Sequence, residues 1–123
     1  MNRIAGLAVI ICILSACEKS NEESLSGPPT NPVGCDTINM KYATNIQPII
    51  QANCYGCHAN GQAEGGVTLD TYNKVKQRAD NGMLIGVITH ANGFKAMPFG
   101  LPKLSDCNIN KIKAWVERGA MDN

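Results

Sequence analysis

Cys54-Tyr55-Gly56-Cys57-His58 puts two thiols three positions apart and an imidazole directly after the second. On one helical turn, two such thiols can each bond a vinyl group of the same porphyrin, which brings the next residue's ring under the iron. C-x-x-C-H is therefore the spacing of covalent c-type haem attachment, with Cys54 and Cys57 as thioether residues and His58 as the proximal ligand. Part of this pattern is shared by other chemistries. A bare C-x-x-C also serves dithiol redox pairs and half zinc sites, and a disulfide or packed thiols beside a surface histidine would use the same residues.

The second chemically pointed residue is Met97, 39 positions beyond His58. A thioether is a soft ligand suited to haem iron. It lies in Lys95-Ala96-Met97-Pro98-Phe99-Gly100-Leu101-Pro102, an irregular stretch that two prolines stiffen. Methionines more often fill gaps in a core, and Met40, Met83 and Met121 are read that way. Given C-x-x-C-H upstream, Met97 is expected as the distal iron ligand. His90 competes for that position, but its place after an amphipathic segment reads as a surface or capping histidine.

Helices must position these groups. Thr44-Asn45-Ile46-Gln47 has capping-box form with Pro48 in the first turn, and predicts a helix over about 45–54 with Ile46, Ile49, Ile50 and Asn53 on one face. Cys54 and Cys57 would follow at its C-terminal end, where Gly56 permits close approach of a flat ligand. The glycine-rich stretch from Ala59 to Thr68 reads as loop. Asp70 can cap a second helix carrying Tyr72, Val75 and Ala79, stopped at Gly82. A third carries Leu84, Val87 and Ile88 and ends between His90 and Gly93. The last starts at Ser105 or Asp106, sets Ile109, Ile112, Trp115 and Val116 on one side, and stops at Gly119. With no strand pattern or internal repeat, the fold class is all-α, three to four helices around one haem.

Composition sets the bounds. The 123 residues hold one small domain with few aromatic residues, which a large buried cofactor and covalent staples would help to stabilise. From residue 35 onward, nine Lys and Arg stand against seven Asp and Glu, too even a balance for a nucleic-acid partner. Lys41, Lys95, Lys103 and Lys111 could rim a haem edge, although a merely solvated surface explains them better. Six cysteines in so short a chain point to an oxidising compartment.

The first 16 residues read as a signal peptide, with Arg3 ahead of an apolar run too short to span a bilayer comfortably. Leu14-Ser15-Ala16-Cys17 resembles the bacterial lipobox, which implies acylation of Cys17 and a membrane anchor; ordinary cleavage after Ala16 is the alternative. Residues 17–34 then form a lipidated cysteine and a flexible tether, rich in Ser, Asn, Gly and Pro, ahead of a domain over 35–123. Glu18 is not the aspartate that retains many lipoproteins at the inner membrane. Outer-membrane placement in a bacterial cell envelope is therefore expected.

Ile46-x-Pro48-Ile49-Ile50, the C-x-x-C-H pentapeptide, Gly65-Gly66-Val67-x-Leu69, Met97-Pro98 and Ile112-x-x-Trp115-Val116-x-x-Gly119-Ala120 together resemble a mono-haem class I cytochrome c. The closer likeness is to the small cytochrome c domains of bacterial lipoproteins. It implies a cytochrome c fold in which the first and last helices cross beside one covalently attached haem c, held between His58 and Met97. Many class I members fix the haem histidine by the carbonyl of a proline soon after it. None stands between Ala59 and Asp70, so the group that orients His58 is left open. With Cys12 in the signal, Cys17 in the anchor and Cys54 and Cys57 on haem, Cys35 and Cys107 are left as a disulfide pair, or as two free buried thiols.

The expected function is electron transfer between redox proteins met transiently, with no enzymatic activity and no small-molecule substrate. The alternatives are a haem-based gas sensor or ligand binder with a labile Met97, and a dithiol oxidoreductase or zinc module. The last lacks a strand-flanked C-x-x-C, and His58 and His90 are too far apart for a zinc finger.

Overall fold

Ile109, Ile112 and Trp115 recur at three-residue steps, and Val75 and Ala79 at a four-residue step, spacings that line up one face of a helix. In the computed structural model, which describes residues 34–123, these segments are helical and those faces are buried. The chain runs through a π-helical turn (Tyr42–Ile46), α1 (Gln47–His58), a 3-10 turn (Glu64–Gly66), α2 (Tyr72–Asp80), α3 (Met83–Ile88) and α4 (Asp106–Glu117). No strand occurs among the described residues, and the fold is all-α as expected. None of the described helices is long and apolar enough to cross a membrane. The residues expected as signal segment and tether up to residue 33, Cys12 and Cys17 among them, lie outside the described residues.

α1 starts differently from its sequence signals. Thr44 does not cap it; its hydroxyl bonds the side chain of Asn45, whose Oδ1 accepts from the Lys41 N–H at 2.9 Å. The chain is already coiled from Tyr42, as a π turn that runs directly into α1. The free donors of this start are met from far away. Tyr42 N–H donates to Asn123 Oδ1 at 2.9 Å and Ala43 N–H to the Asn123 carbonyl at 3.1 Å. A long-range partner thus does what the local capping box promised. Asp70 likewise caps nothing: it pairs with Lys74 at 2.9 Å, and Thr71 occupies the N-cap of α2. Ser105 does cap α4, its Oγ accepting from Asn108 N–H at 3.3 Å.

The core lies where the π turn, α1 and α4 meet, with α2 and α3 closing the other side. Ile46, Ile50, Val75, Ile112 and Trp115 are its largest fully buried residues. Tyr42 stands edge-on to Tyr72, ring centres 5.0 Å apart, and 5.6 Å from Trp115. Such aromatic contacts add to area burial by about 1 kcal/mol each. The segment after α4 is bound back onto this cluster: Tyr72 Oη donates to the Ala120 carbonyl at 2.8 Å, and Trp115 Nε1 to the Met121 carbonyl at 2.9 Å. Tyr42's hydroxyl is different. It is buried without a protein partner, and desolvation, with Tyr55, Asp122 and Tyr72 nearby, pushes its pKa up to about 12.

Cys35 and Cys107 are joined by a disulfide, tying the segment before the π turn to the first turn of α4. They are 72 positions apart. Closing so long a loop in the unfolded chain is worth roughly 4 kcal/mol in the chain-entropy picture. The Cys35→Ser/Cys107→Ser double variant is accordingly expected to lose about that much in a denaturant titration. Tyr42→Phe, which removes an unpartnered buried hydroxyl and keeps the ring contacts, should match or exceed the wild-type melting temperature in thermal unfolding.

Candidate functional site

The last turn of α1 carries Cys54, Cys57 and His58, all at the end of a helix whose inner face is fixed by Ile46, Ile49 and Ile50. Cys54 is half-buried and Cys57 exposed, and neither is in a disulfide. Burial pushes the Cys54 thiol up to about 11. A nucleophilic dithiol pair requires the opposite shift, toward thiolate near neutral pH. Nothing lies within 4 Å of where a Cβ on Gly56 would stand, so this face of the turn is open to a flat ligand.

After His58 the chain leaves the helix in extended conformation at Ala59, which is buried, and returns through a series of tight turns. Gly65 and Gly66 both have positive φ, 64° and 73°, a conformation that L side chains adopt at a cost. Two such residues in succession swing the chain so that Val67 points its carbonyl at His58. His58 Nδ1 lies 3.0 Å from that oxygen. A carbonyl only accepts, so Nδ1 carries the proton and Nε2 keeps its lone pair. Two residues on, Leu69 N–H donates to the His58 carbonyl at 2.7 Å, closing the loop on both the ring and the backbone of the same residue. Val67 thus supplies the carbonyl that no proline in this stretch provides.

Met97 is held by another part of the molecule, the loop between α3 and α4. Its N–H donates to the Val87 carbonyl at 3.0 Å. Its own carbonyl lies 3.1 Å from His90 Nε2, so that nitrogen is the donor. His90 Nε2 is thereby engaged with the backbone of Met97, the residue with which it competed as a ligand. The same loop exposes apolar surface: Phe99 is 73% and Leu101 63% exposed. Side chains of this kind uncovered beside a potential ligand are what a large apolar cofactor would cover.

Two of the four lysines are engaged by neighbouring side chains. Lys103 pairs with Asp106 at 2.9 Å, and Lys95 lies over the Phe99 ring at 4.6 Å. Among the described residues no three His, Cys, Asp or Glu side chains converge as a zinc site would need.

The donor set fits haem. Two free thiols on one turn can take its vinyl groups, an imidazole held by its Nδ1 proton presents Nε2, and a methionine with both backbone groups anchored offers sulfur. The sequence signalled each of these donors. It did not signal the role of Val67, whose contribution is a backbone carbonyl, although Gly65-Gly66-Val67 stood among the residues that carry the resemblance.

A family model described as cytochrome c oxidase, cbb3-type, subunit III matches residues 42–116, a span that contains Cys54, Cys57, His58 and Met97. No curated protein and no solved structure matches the chain.

Gly66 has open space where a Cβ would go, so conformational strain is the whole effect of adding one. Gly66→Ala should cost about 1–2 kcal/mol. Thermal unfolding is the measurement, and Gly56→Ala, where φ is not positive, is the control for added bulk.

Proposed function

The chain belongs to the cytochrome c family described as cbb3-type cytochrome c oxidase subunit III, and from that premise we propose that it is a mono-haem c-type cytochrome that carries single electrons between redox proteins of the cell envelope. The observation that carries this reading is the His58 ring, locked by Val67 with its Nε2 lone pair free, at the end of the turn that bears both thiols. When bound, haem supplies a one-electron couple between ferric and ferrous iron. Everything else is the work of the chain.

Cys54 and Cys57 would fix the cofactor by thioether bonds, so that it stays in place through many brief encounters. His58, held in one tautomer and one orientation, would supply one iron ligand. Met97 would supply a soft donor, which would favour the ferrous state and raise the potential. Because both residues are anchored through neighbouring backbone groups, little atomic rearrangement would need to accompany each electron. Under this proposal the protein turns over no substrate of its own and meets its partners transiently. A gas sensor would want a sixth ligand that leaves easily; the two hydrogen bonds on Met97's backbone favour retention instead.

We extend the proposal to location on the strength of the N-terminal sequence. Cys17 follows Leu14-Ser15-Ala16 at the end of an apolar run and would carry acyl chains after export. The linker through residue 34 would let the domain range around its anchor, in the outer membrane by the Glu18 criterion.

The decisive measurement is the absorption of the mature ferric protein. A methionine-to-iron charge-transfer band should be present and should disappear in Met97→Ala. A band that persists in that variant places the sixth ligand elsewhere.

A further inference from the structure

The distal methionine depends on a residue that has no ligand role of its own. We propose that His90 is a positioning residue for Met97, fixing the backbone from which the thioether projects; this rests on the reading of Met97 as the distal iron ligand.

The geometry is a closed clamp of three residues. Val87, in the last turn of α3, uses one carbonyl to accept from Met97 N–H at 3.0 Å and from His90 N–H at 3.3 Å. His90 Nε2 then donates to the Met97 carbonyl at 3.1 Å. Both backbone groups of Met97 are therefore occupied, one by the helix end and one by the imidazole.

The residues around Met97 show why the imidazole matters. Pro98 has no N–H, so the chain immediately beyond Met97 cannot donate a bond of its own. The next backbone donor that ties the loop is Leu101, and it bonds within the loop, to the Pro98 carbonyl at 3.2 Å. On the far side of Met97, then, His90 is the connection between loop and helix. The backbone of His90 is bent to make it. Its φ is +55°, which is unfavourable for a residue with a Cβ and carries the chain back over α3. Two neighbouring contacts brace the same bend: Ala91 N–H donates to the Gly86 carbonyl at 3.0 Å, and the Phe94 ring packs on Gly86 so closely that a Cβ there would clash.

A carbonyl hydrogen bond of this kind does not touch the iron. It restricts rotation of the peptide that carries the ligand, and so lowers the rate at which the sulfur can swing away. Removing it should accelerate displacement of Met97 by about five-fold, the factor that one net hydrogen bond corresponds to. A glutamine carries an N–H donor at comparable reach and should restore most of the effect.

The test uses the haem-loaded protein as wild type, Met97→Ala, His90→Ala and His90→Gln. It measures the ferric charge-transfer band and the rate of carbon monoxide binding to the ferrous form. The expected result is a band in the wild type that is lost in Met97→Ala, carbon monoxide binding about five-fold faster in His90→Ala, and a near wild-type rate in His90→Gln. Wild-type rate and band in His90→Ala would overturn the positioning role while leaving Met97 as ligand. Equal acceleration in His90→Gln would overturn it as well, by showing that the donor is not what matters. If the band is absent from the wild type and only the His90 variants change the low-spin spectrum, His90 is itself the ligand, and the reading of Met97 fails with the inference.

Discussion

An imidazole has two nitrogens, and a histidine can serve as a stable iron ligand only if something else decides which of them holds the proton. Here that decision is made by the carbonyl of Val67, 3.0 Å from His58 Nδ1. Much of the surrounding structure can be read as what this bond requires. Val67 reaches its position because Gly65 and Gly66 turn the chain through left-handed conformations, and the turn is held shut by Leu69 N–H on the His58 carbonyl. His58 in turn is placed by α1, whose buried Ile49 and Ile50 seat the helix in the core shared with Ile109, Ile112 and Trp115 of α4. A shift in that packing would move the ring and its acceptor together, since both ends of the loop are tied to the same residue.

Met97 meets a similar problem with different parts. Methionine has no second polar atom by which its side chain could be held, so its backbone is held instead, between the Val87 carbonyl and the His90 ring. In both halves a backbone carbonyl is the acceptor, and in both an irregular segment is pinned to a helix end. Loops can carry precise chemistry in this way. Their side chains are free to be whatever the cofactor needs, while the main chain supplies the fixed points.

This also explains what was legible in the sequence. Ile109, Ile112 and Trp115 announced α4, and Val75 and Ala79 the inner face of α2, because burial acts on side chains and leaves a periodic trace. The thiols, His58 and Met97 were visible for the same reason: their chemistry is in the side chain. The start of α1 was misread, since Thr44 and Gln47 form a plausible local cap that loses to Asn123, a partner that no local pattern can reveal. Val67 was hidden because any residue has a carbonyl, and the missing proline pointed away from a carbonyl rather than toward another one. His90 was seen as a ring with a place on the surface or at a cap, but its partner, the carbonyl of Met97, lies across a turn whose shape depends on an unusual φ.

The distribution of restraints has a consequence for dynamics. The strongest ties lie around the buried core: the Cys35 to Cys107 disulfide, the Tyr42, Tyr72 and Trp115 cluster, and the four bonds that bring residues 120, 121 and 123 back onto it. The loops around His58 and Met97 are each held by a pair of hydrogen bonds, one to the ring of a histidine and one between backbone groups. Local opening of a segment needs only the free energy of its own few contacts, whereas global unfolding must disrupt the cross-linked core. Opening of the Met97 loop is thus separable from unfolding of the domain, and under the proposed role of His90 its ring would bear on the first more than on the second. Under the proposed ligation that separation would be useful to an electron carrier, because retention of Met97, and with it the potential, could be adjusted at one loop while the core that fixes His58 stays as it is.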